Sequence, residues 1–157
     1  MGKIICIGLG PGDPDLMSVR AHRHLTSART VAYFRKAGRA GQARQIVQGL
    51  IPEGARELAM EYPVTTEIAV EDPAYNAALA AFYDDWAARL HQAAETSDVV
   101  VLCEGDPFFF GSFMHLHSRL PRDRVEVVPE FPATGVGKVS KRDLRAAIAD
   151  AIAADRH

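Results

Sequence analysis

Hydrophobic residues along this chain fall into short continuous runs, separated by longer segments of mixed polarity. The short runs are rich in valine and isoleucine and are bounded by turn-forming residues, which predicts buried strands. Several intervening segments repeat hydrophobic positions every three or four residues, which predicts helices. The alternation predicts an α/β fold with an open, mostly parallel sheet flanked by helices. Strands are predicted at residues 3–7, 30–34, 57–60, 98–103 and 125–128.

The clearest helix is predicted to begin at Pro73, because proline suits the first helical position and Asp72 can act as the N-cap. Hydrophobic side chains then follow at steps of three or four residues and form one face. We interpret the aromatic residues of this face as core rather than as ligand contacts. The face consists of Tyr75, Leu79, Phe82, Trp86, Leu90 and Ala93.

Another helix is predicted after the glycine-rich residues 8–13, ending near Ser27. Leu16, Val19, Arg20, His24 and Leu25 give it a partial helical stripe. Two further helices are predicted, at residues 43–50 and from about Ser112.

Composition and charge narrow the class of protein. The 157 residues are 48% hydrophobic and 24% charged, which is typical of one folded globular domain. The formal net charge of −2 argues against nucleic acid or an acidic membrane surface as a partner. No apolar run approaches the roughly 18 residues of a membrane span, and the N-terminus lacks signal-peptide features, so we expect a cytoplasmic protein.

The two cysteines, Cys6 and Cys103, both lie in predicted strands. We interpret them as reduced thiols buried in the core. A redox pair would require the two side chains to face each other.

The strongest functional signal is the position of two glycine-rich loops, residues 8–13 and 104–107. Each follows a predicted strand directly. In open α/β sheets, ligands bind beyond the carboxyl ends of the strands. The sequence therefore predicts a ligand site built from these two loops.

The first loop, with the sequence GLGPGD, begins like the dinucleotide-binding motif GxGxxG. Asp13 replaces the third glycine, and Pro11 has no backbone N–H to offer a pyrophosphate. A carboxylate at the helix entry would also repel phosphate, so NAD binding is disfavoured. The glycines still permit close approach of a ligand, although a tight turn without a ligand remains an alternative.

The second loop belongs to residues 104–113, with the sequence EGDPFFFGSF, and combines carboxylates, glycines and four aromatic rings. Backbone groups of such a turn can bind an amino-acid or ribose moiety. The phenylalanine rings can cover an adenine or a flat macrocycle. An aromatic-rich helix entry remains the alternative interpretation.

Together, residues 8–16 and 105–111 resemble the first and third motifs of the tetrapyrrole methylase family. Residues 31–35, 61–67 and 102–117 resemble its precorrin-2 C20-methyltransferase branch. The resemblance implies methyl transfer from S-adenosylmethionine to a meso carbon of a reduced tetrapyrrole, precorrin-2 or cobalt-factor II, in cobalamin biosynthesis. It also implies a cofactor held between two α/β domains, and we expect a homodimer.

The resemblance assigns a substrate role to one residue and cofactor roles to five. Arg35 is a candidate partner for a substrate carboxylate, with a solvated surface arginine as the alternative. The positions that match cofactor contacts of the family are Pro11, Glu104, Gly105, Asp106 and Phe109.

The resemblance does not supply a catalytic residue. Phe34 stands where related uroporphyrinogen methylases carry an aspartate, so no general base is assigned. His115 and His117 are interpreted as packing or surface residues, and no metal ligand is assigned.

The resemblance divides the chain at residue 129, into a methylase domain at 1–129 and an unrelated tail at 130–157. We expect the second methylase domain to be absent and the activity to be impaired. Residues 132–145 resemble the last motif of acyl-adenylate-forming ligases, with Lys138 at its lysine, and a capping box at Ser140 predicts a helix. Two alternatives are a non-catalytic half-domain that self-associates and a ligase fragment.

Overall fold

Five strands and four α-helices alternate along residues 1–64, 72–109 and 111–128, the parts of the chain that the computed structural model describes. The strand bounds differ from the predicted ones by at most one residue. The strands are β1 (Ile4–Gly8), β2 (Thr30–Arg35), β3 (Arg56–Glu61), β4 (Val99–Cys103) and β5 (Val125–Val128). The helices are α1 (Val19–Thr26), α2 (Gln42–Ile46), α3 (Pro73–Ala93) and α4 (Phe113–His117).

The strands form one sheet in the order β3-β2-β4-β1-β5, and every neighbouring pair is parallel. Each strand is joined to the next through a helix, as parallel pairing requires. The predicted open α/β sheet is confirmed. Because β4 lies between β1 and β2, the loop that follows β4 has a neighbouring loop on each side.

Helices cover both faces of the sheet. Ile4 and Cys6 belong to the core cluster under α3 and α4, whereas Ile5 and Ile7 belong to the cluster under α1 and α2. All five residues of β1 and all five of β4 are buried. Burial on both faces explains why these strands are continuously hydrophobic instead of alternating.

The long helix α3 confirms the predicted start, and it confirms the predicted core role for Phe82 and Trp86 but not for the half-buried Tyr75, which belongs to neither core cluster. Phe82 and Leu90 are buried, and Trp86 packs against the same core cluster. The Asp72 side chain accepts a hydrogen bond of 2.8 Å from the backbone N–H of Ala74, which caps the helix.

The predicted stripe of α1 is wrong at two of its apolar positions. Leu16 lies in a separate 3-10 turn and is 62% exposed, and Val19 is 67% exposed. The Ser18 hydroxyl accepts a hydrogen bond from the N–H of Ala21, so the helix begins only after Ser18. Its buried side is formed by Ala21 and Leu25.

Helix α2 is shorter than the predicted segment 43–50 and ends at Ile46. The backbone of Gly49 has φ +86°, which is incompatible with a continuing right-handed helix.

In the described ranges, no helix combines the length and apolar character that crossing a bilayer requires. The predicted tail helix, Lys138 and Phe110 lie outside the described residues, as do residues 65–67 of the segment 61–67.

Asp72→Ala is expected to lower the free energy of unfolding by about 1 kcal/mol, because an N-terminal amide of α3 loses its acceptor. Urea denaturation followed by circular dichroism measures this change. Asp72→Asn retains a capping oxygen and is the control. Equal losses in the two variants would contradict the capping role.

Candidate functional site

The two predicted loops are joined by backbone hydrogen bonds. Beyond the register pair Gly8–Cys103, the N–H of Leu9 donates to the carbonyl of Cys103 at 3.0 Å. The N–H of Gly105 then donates to the carbonyl of Gly10 at 3.1 Å, forming an isolated antiparallel bridge. The loops after β1 and β4 therefore form one structural unit at the carboxyl edge of the sheet.

Glycine is required where these loops meet. A Cβ atom on Gly8 would lie 2.5 Å from the carbonyl oxygen of Gly105, which is backbone and cannot swing aside. Gly10 and Gly105 have φ values of +71° and +62°, in the region that favours glycine. The close approach of the two loops therefore depends on this set of glycines.

The rest of the first loop is exposed. Pro11 lies at the surface, and Asp13 accepts a hydrogen bond of 2.9 Å from the N–H of Asp15 through its side chain. That contact caps the 3-10 turn Pro14–Leu16. The N–H of Asp15 is therefore already hydrogen-bonded within the loop and is not free to bind a phosphate.

Asp106 organises the second loop. Its side chain accepts a hydrogen bond of 2.8 Å from the N–H of Phe108, and its carbonyl accepts one of 3.1 Å from the N–H of Phe109. The aromatic residues then divide: Phe113 is fully buried, whereas Phe108 and Phe109 are 43% and 73% exposed. Neither interpretation holds for all three of these described phenylalanines, and Phe109 is the most exposed of the three.

A cavity of about 560 Å³ opens beside this unit, at the carboxyl ends of β2 and β4. Of the five residues predicted to contact a cofactor, Glu104 and Phe109 line this cavity. Pro11, Gly105 and Asp106 are not among its lining residues. From the β2 side it is lined by Phe34, Arg35, Lys36 and Arg39.

Aromatic rings form the inner wall of the cavity. Phe34 stacks on Tyr62 with ring centroids 5.6 Å apart and planes inclined by 14°. The Tyr62 hydroxyl is hydrogen-bonded to the Ser112 hydroxyl, and burial raises the pKa of Tyr62. Tyr62 is therefore a neutral phenol at physiological pH. Its position on the cavity was missed, although it lies within residues 61–67, which carry part of the family resemblance.

Arg35 lines the cavity, but its guanidinium is already paired. Its Nε and Nη2 atoms lie 3.0 and 2.9 Å from the Glu61 carboxylate. A substrate carboxylate would have to share this guanidinium with Glu61. Lys36 and Arg39, which sequence reasoning did not select, are exposed on the loop that follows.

The two cysteines face each other across β1 and β4. The Sγ atoms of Cys6 and Cys103 are 3.3 Å apart, and both residues are buried as free thiols. Burial, followed by the contact with Cys103, raises the pKa of the Cys6 thiol well above its usual range. The interpretation as buried core thiols is confirmed, and the facing geometry that a redox pair would need is also present.

The histidines of α4 pack against aromatic rings, as interpreted. His115 stacks on Tyr83 at 4.9 Å, and His117 meets Phe108 edge-on at 5.0 Å. Among the described residues, no group of three or more metal-ligating side chains is placed to hold an ion.

The fold is similar to that of a solved methyltransferase structure. Uroporphyrin-III C-methyltransferase from Thermus thermophilus, solved in complex with S-adenosylhomocysteine, aligns with a TM-score of 0.51 and 24% identity. The alignment covers 82% of this chain and 44% of that structure, and at this identity it establishes the fold alone.

The sequence profile of the Tetrapyrrole (Corrin/Porphyrin) Methylases matches residues 3–135. The chain belongs to this family. The matched region extends six residues past the predicted boundary at 129.

Two relatives show which members of the family the chain is similar to. Precorrin-2 C(20)-methyltransferase of a Sinorhizobium species is 48% identical over 136 residues, which are 85% of this chain and 55% of that relative. Cobalamin biosynthesis protein CobIJ of Mycobacterium tuberculosis is 40% identical over 77% of this chain and 24% of its own length. The chain therefore spans about half the length of the first of these proteins and less of the second. Separately, 23 residues are 70% identical to pyochelin synthase PchD of Pseudomonas aeruginosa, covering 4% of that protein.

Gly8→Ala is expected to lower the free energy of unfolding by about 2 kcal/mol, because the added methyl group collides with the Gly105 carbonyl. Gly54→Ala is the matched control: its backbone has φ +79°, and a Cβ there meets nothing within 4 Å. The control should lose only about 1 kcal/mol, from backbone strain. Urea unfolding measures both variants, and a loss at Gly8 no larger than at Gly54 would contradict the close loop pairing.

Proposed function

We propose that this chain takes part in S-adenosylmethionine-dependent methyl transfer to C20 of precorrin-2 or cobalt-factor II in cobalamin biosynthesis. The observation that carries the proposal is the 48% identity to a precorrin-2 C(20)-methyltransferase over 136 residues, together with the family match at residues 3–135, which includes both paired loops. The name of the CobIJ relative supports the same pathway.

The residues around the cavity are suited to such a cofactor. A volume of about 560 Å³ lies within the range of small-molecule sites. Glu104 offers negative charge to a ligand that carries a sulfonium and an ammonium group. The exposed ring of Phe109 can cover an adenine. A Cβ atom built on Gly105 would meet no other atom within 4 Å, so there is open space beside this glycine. We assign the cofactor contacts to Glu104 and Phe109 in the cavity and, from the family resemblance, to Pro11, Gly105 and Asp106 in the paired loops beside it.

When bound, the cofactor would supply an electrophilic methyl carbon on a sulfonium, with the neutral thioether as its leaving group. The contribution of the chain is then positioning and exclusion of water. The bridge between Gly10 and Gly105 holds the loops in one arrangement before any ligand arrives. Tyr62 stays protonated and bonded to Ser112, so it can orient a substrate but does not accept its proton.

The same proposal includes the setting of the protein. We infer a cytoplasmic homodimer that acts on a tetrapyrrole and has no nucleic-acid or membrane partner. The net charge of −2 supports the absence of a polyanionic partner.

Calorimetric titration with S-adenosylhomocysteine tests the cofactor proposal. We expect saturable binding of this compound, and no binding of ATP or NAD at the same concentrations. Phe109→Ala should raise the dissociation constant roughly tenfold, which corresponds to about 1.4 kcal/mol, because the adenine loses an aromatic contact.

Phe108→Ala is the matched control, since Phe108 is also partly exposed but does not line the cavity. It should change the dissociation constant by less than about twofold. Circular dichroism verifies that both variants fold. The absence of saturable binding would contradict the proposed function, and equal effects in the two variants would contradict the role of Phe109.

A further inference from the structure

The cavity is cationic in a chain that is acidic overall. Among the described residues that line it, Arg35, Lys36 and Arg39 are cationic and Glu104 is acidic, whereas the whole chain has a net charge of −2. The Arg35 guanidinium is neutralised by Glu61. The excess positive charge at the cavity therefore comes from Lys36 and Arg39.

These two cations are held together by a turn. The N–H of Arg39 donates to the carbonyl of Lys36 at 3.0 Å, and Gly38 has φ +68°. A β-turn of this kind keeps the Cα atoms of its first and fourth residues within about 7 Å of each other. We call residues 36–39 the cationic turn.

The cationic turn has no internal counter-charge. Neither Lys36 nor Arg39 forms a salt bridge to an acidic residue in the part of the chain that the structure describes. Other arginines on the same side of the sheet do: Arg35 pairs with Glu61, and Arg44 pairs with Glu57 at 2.7 Å. Two adjacent cations at the edge of a cavity thus remain available to an anionic ligand.

The cavity combines this charge with flat apolar surfaces. The stacked rings of Phe34 and Tyr62 line it together with the cationic turn. A ligand that satisfies both features has a flat ring system with several anionic groups at its periphery. S-adenosylmethionine, assigned above to Glu104 and Phe109, has a single carboxylate next to its own ammonium group, so it does not account for both cations of the cationic turn.

We propose that Lys36 and Arg39 bind peripheral carboxylates of the tetrapyrrole substrate while its ring system lies towards the aromatic wall. This rests on the proposed function and extends it, because it assigns the substrate side of the cavity to a turn outside the family motifs. The role is one of positioning: the cations fix the orientation of the macrocycle and take no part in the transfer itself.

The experiment is a fluorescence titration of the chain with uroporphyrin, a flat tetrapyrrole with carboxylates around its edge. The variant is Lys36→Gln/Arg39→Gln. Exposed ion pairs change affinity by up to about fivefold each, so the double variant should weaken uroporphyrin binding roughly tenfold or more. The dissociation constant of S-adenosylhomocysteine should stay within about twofold of the unmodified chain.

The matched control is Arg23→Gln/Arg29→Gln. It removes the same charge from two exposed arginines that form no salt bridge within the described residues. Arg29 precedes β2, whereas Lys36 follows it, so these two residues lie at opposite ends of the strand. The control should leave uroporphyrin binding nearly unchanged.

Ionic strength provides an independent measure. Raising salt from about 50 mM to about 500 mM should weaken binding to the unmodified chain, and much less to Lys36→Gln/Arg39→Gln, because salt screens exposed charges. Coproporphyrin, which has fewer carboxylates, should show a smaller loss in the double variant.

The outcomes separate this proposal from the function on which it rests. Absence of saturable uroporphyrin binding, or equal weakening in both double variants, overturns the role of the cationic turn. Weakened binding of S-adenosylhomocysteine with unchanged uroporphyrin binding also overturns it, since the cations would then serve the cofactor. If uroporphyrin binds as expected but S-adenosylhomocysteine does not, the cationic turn stands and the cofactor assignment fails.

Discussion

The backbone bridge between Gly10 and Gly105 joins two loops that are separated by about 95 positions in the chain. It continues the pairing of β1 with β4 past the ends of both strands, so the loops inherit the geometry of the sheet. The bridge forms only because Gly8 has no side chain to collide with the Gly105 carbonyl. One wall of the cavity, including Glu104, is thereby fixed to the most deeply buried strands of the fold.

The strand order determines what lies on the other side of that wall. Because β4 is inserted between β1 and β2, its loop contacts the first glycine-rich loop on one side and borders the cavity on the other. The β2 side then contributes the aromatic ring of Phe34 and the cationic turn. An acidic group, flat rings and cations thus meet at one edge of the sheet, an arrangement suited to a positively charged methyl donor and a polycarboxylate acceptor.

The strands could be predicted closely from the sequence because both faces of the sheet are buried, which leaves continuous apolar runs such as 98–103. The start of α1 could not be predicted from the hydrophobic spacing, because the Ser18 cap determines where the helix begins and which residues face the core. The paired loops were predictable from their position after strands. The facing of Cys6 and Cys103, and the proximity of Lys36 to Phe109 on one cavity, depend on strand order and register, which local patterns do not encode.

Amide hydrogen exchange, resolved residue by residue, tests most directly whether the two loops form one preorganised unit. The account predicts that the N–H groups of Leu9 and Gly105 exchange nearly as slowly as those of Ile7 and Leu102 in the adjoining strands. Exchange of Leu9 and Gly105 as fast as that of the exposed Gly12 would show that the loops open independently, and would contradict the account.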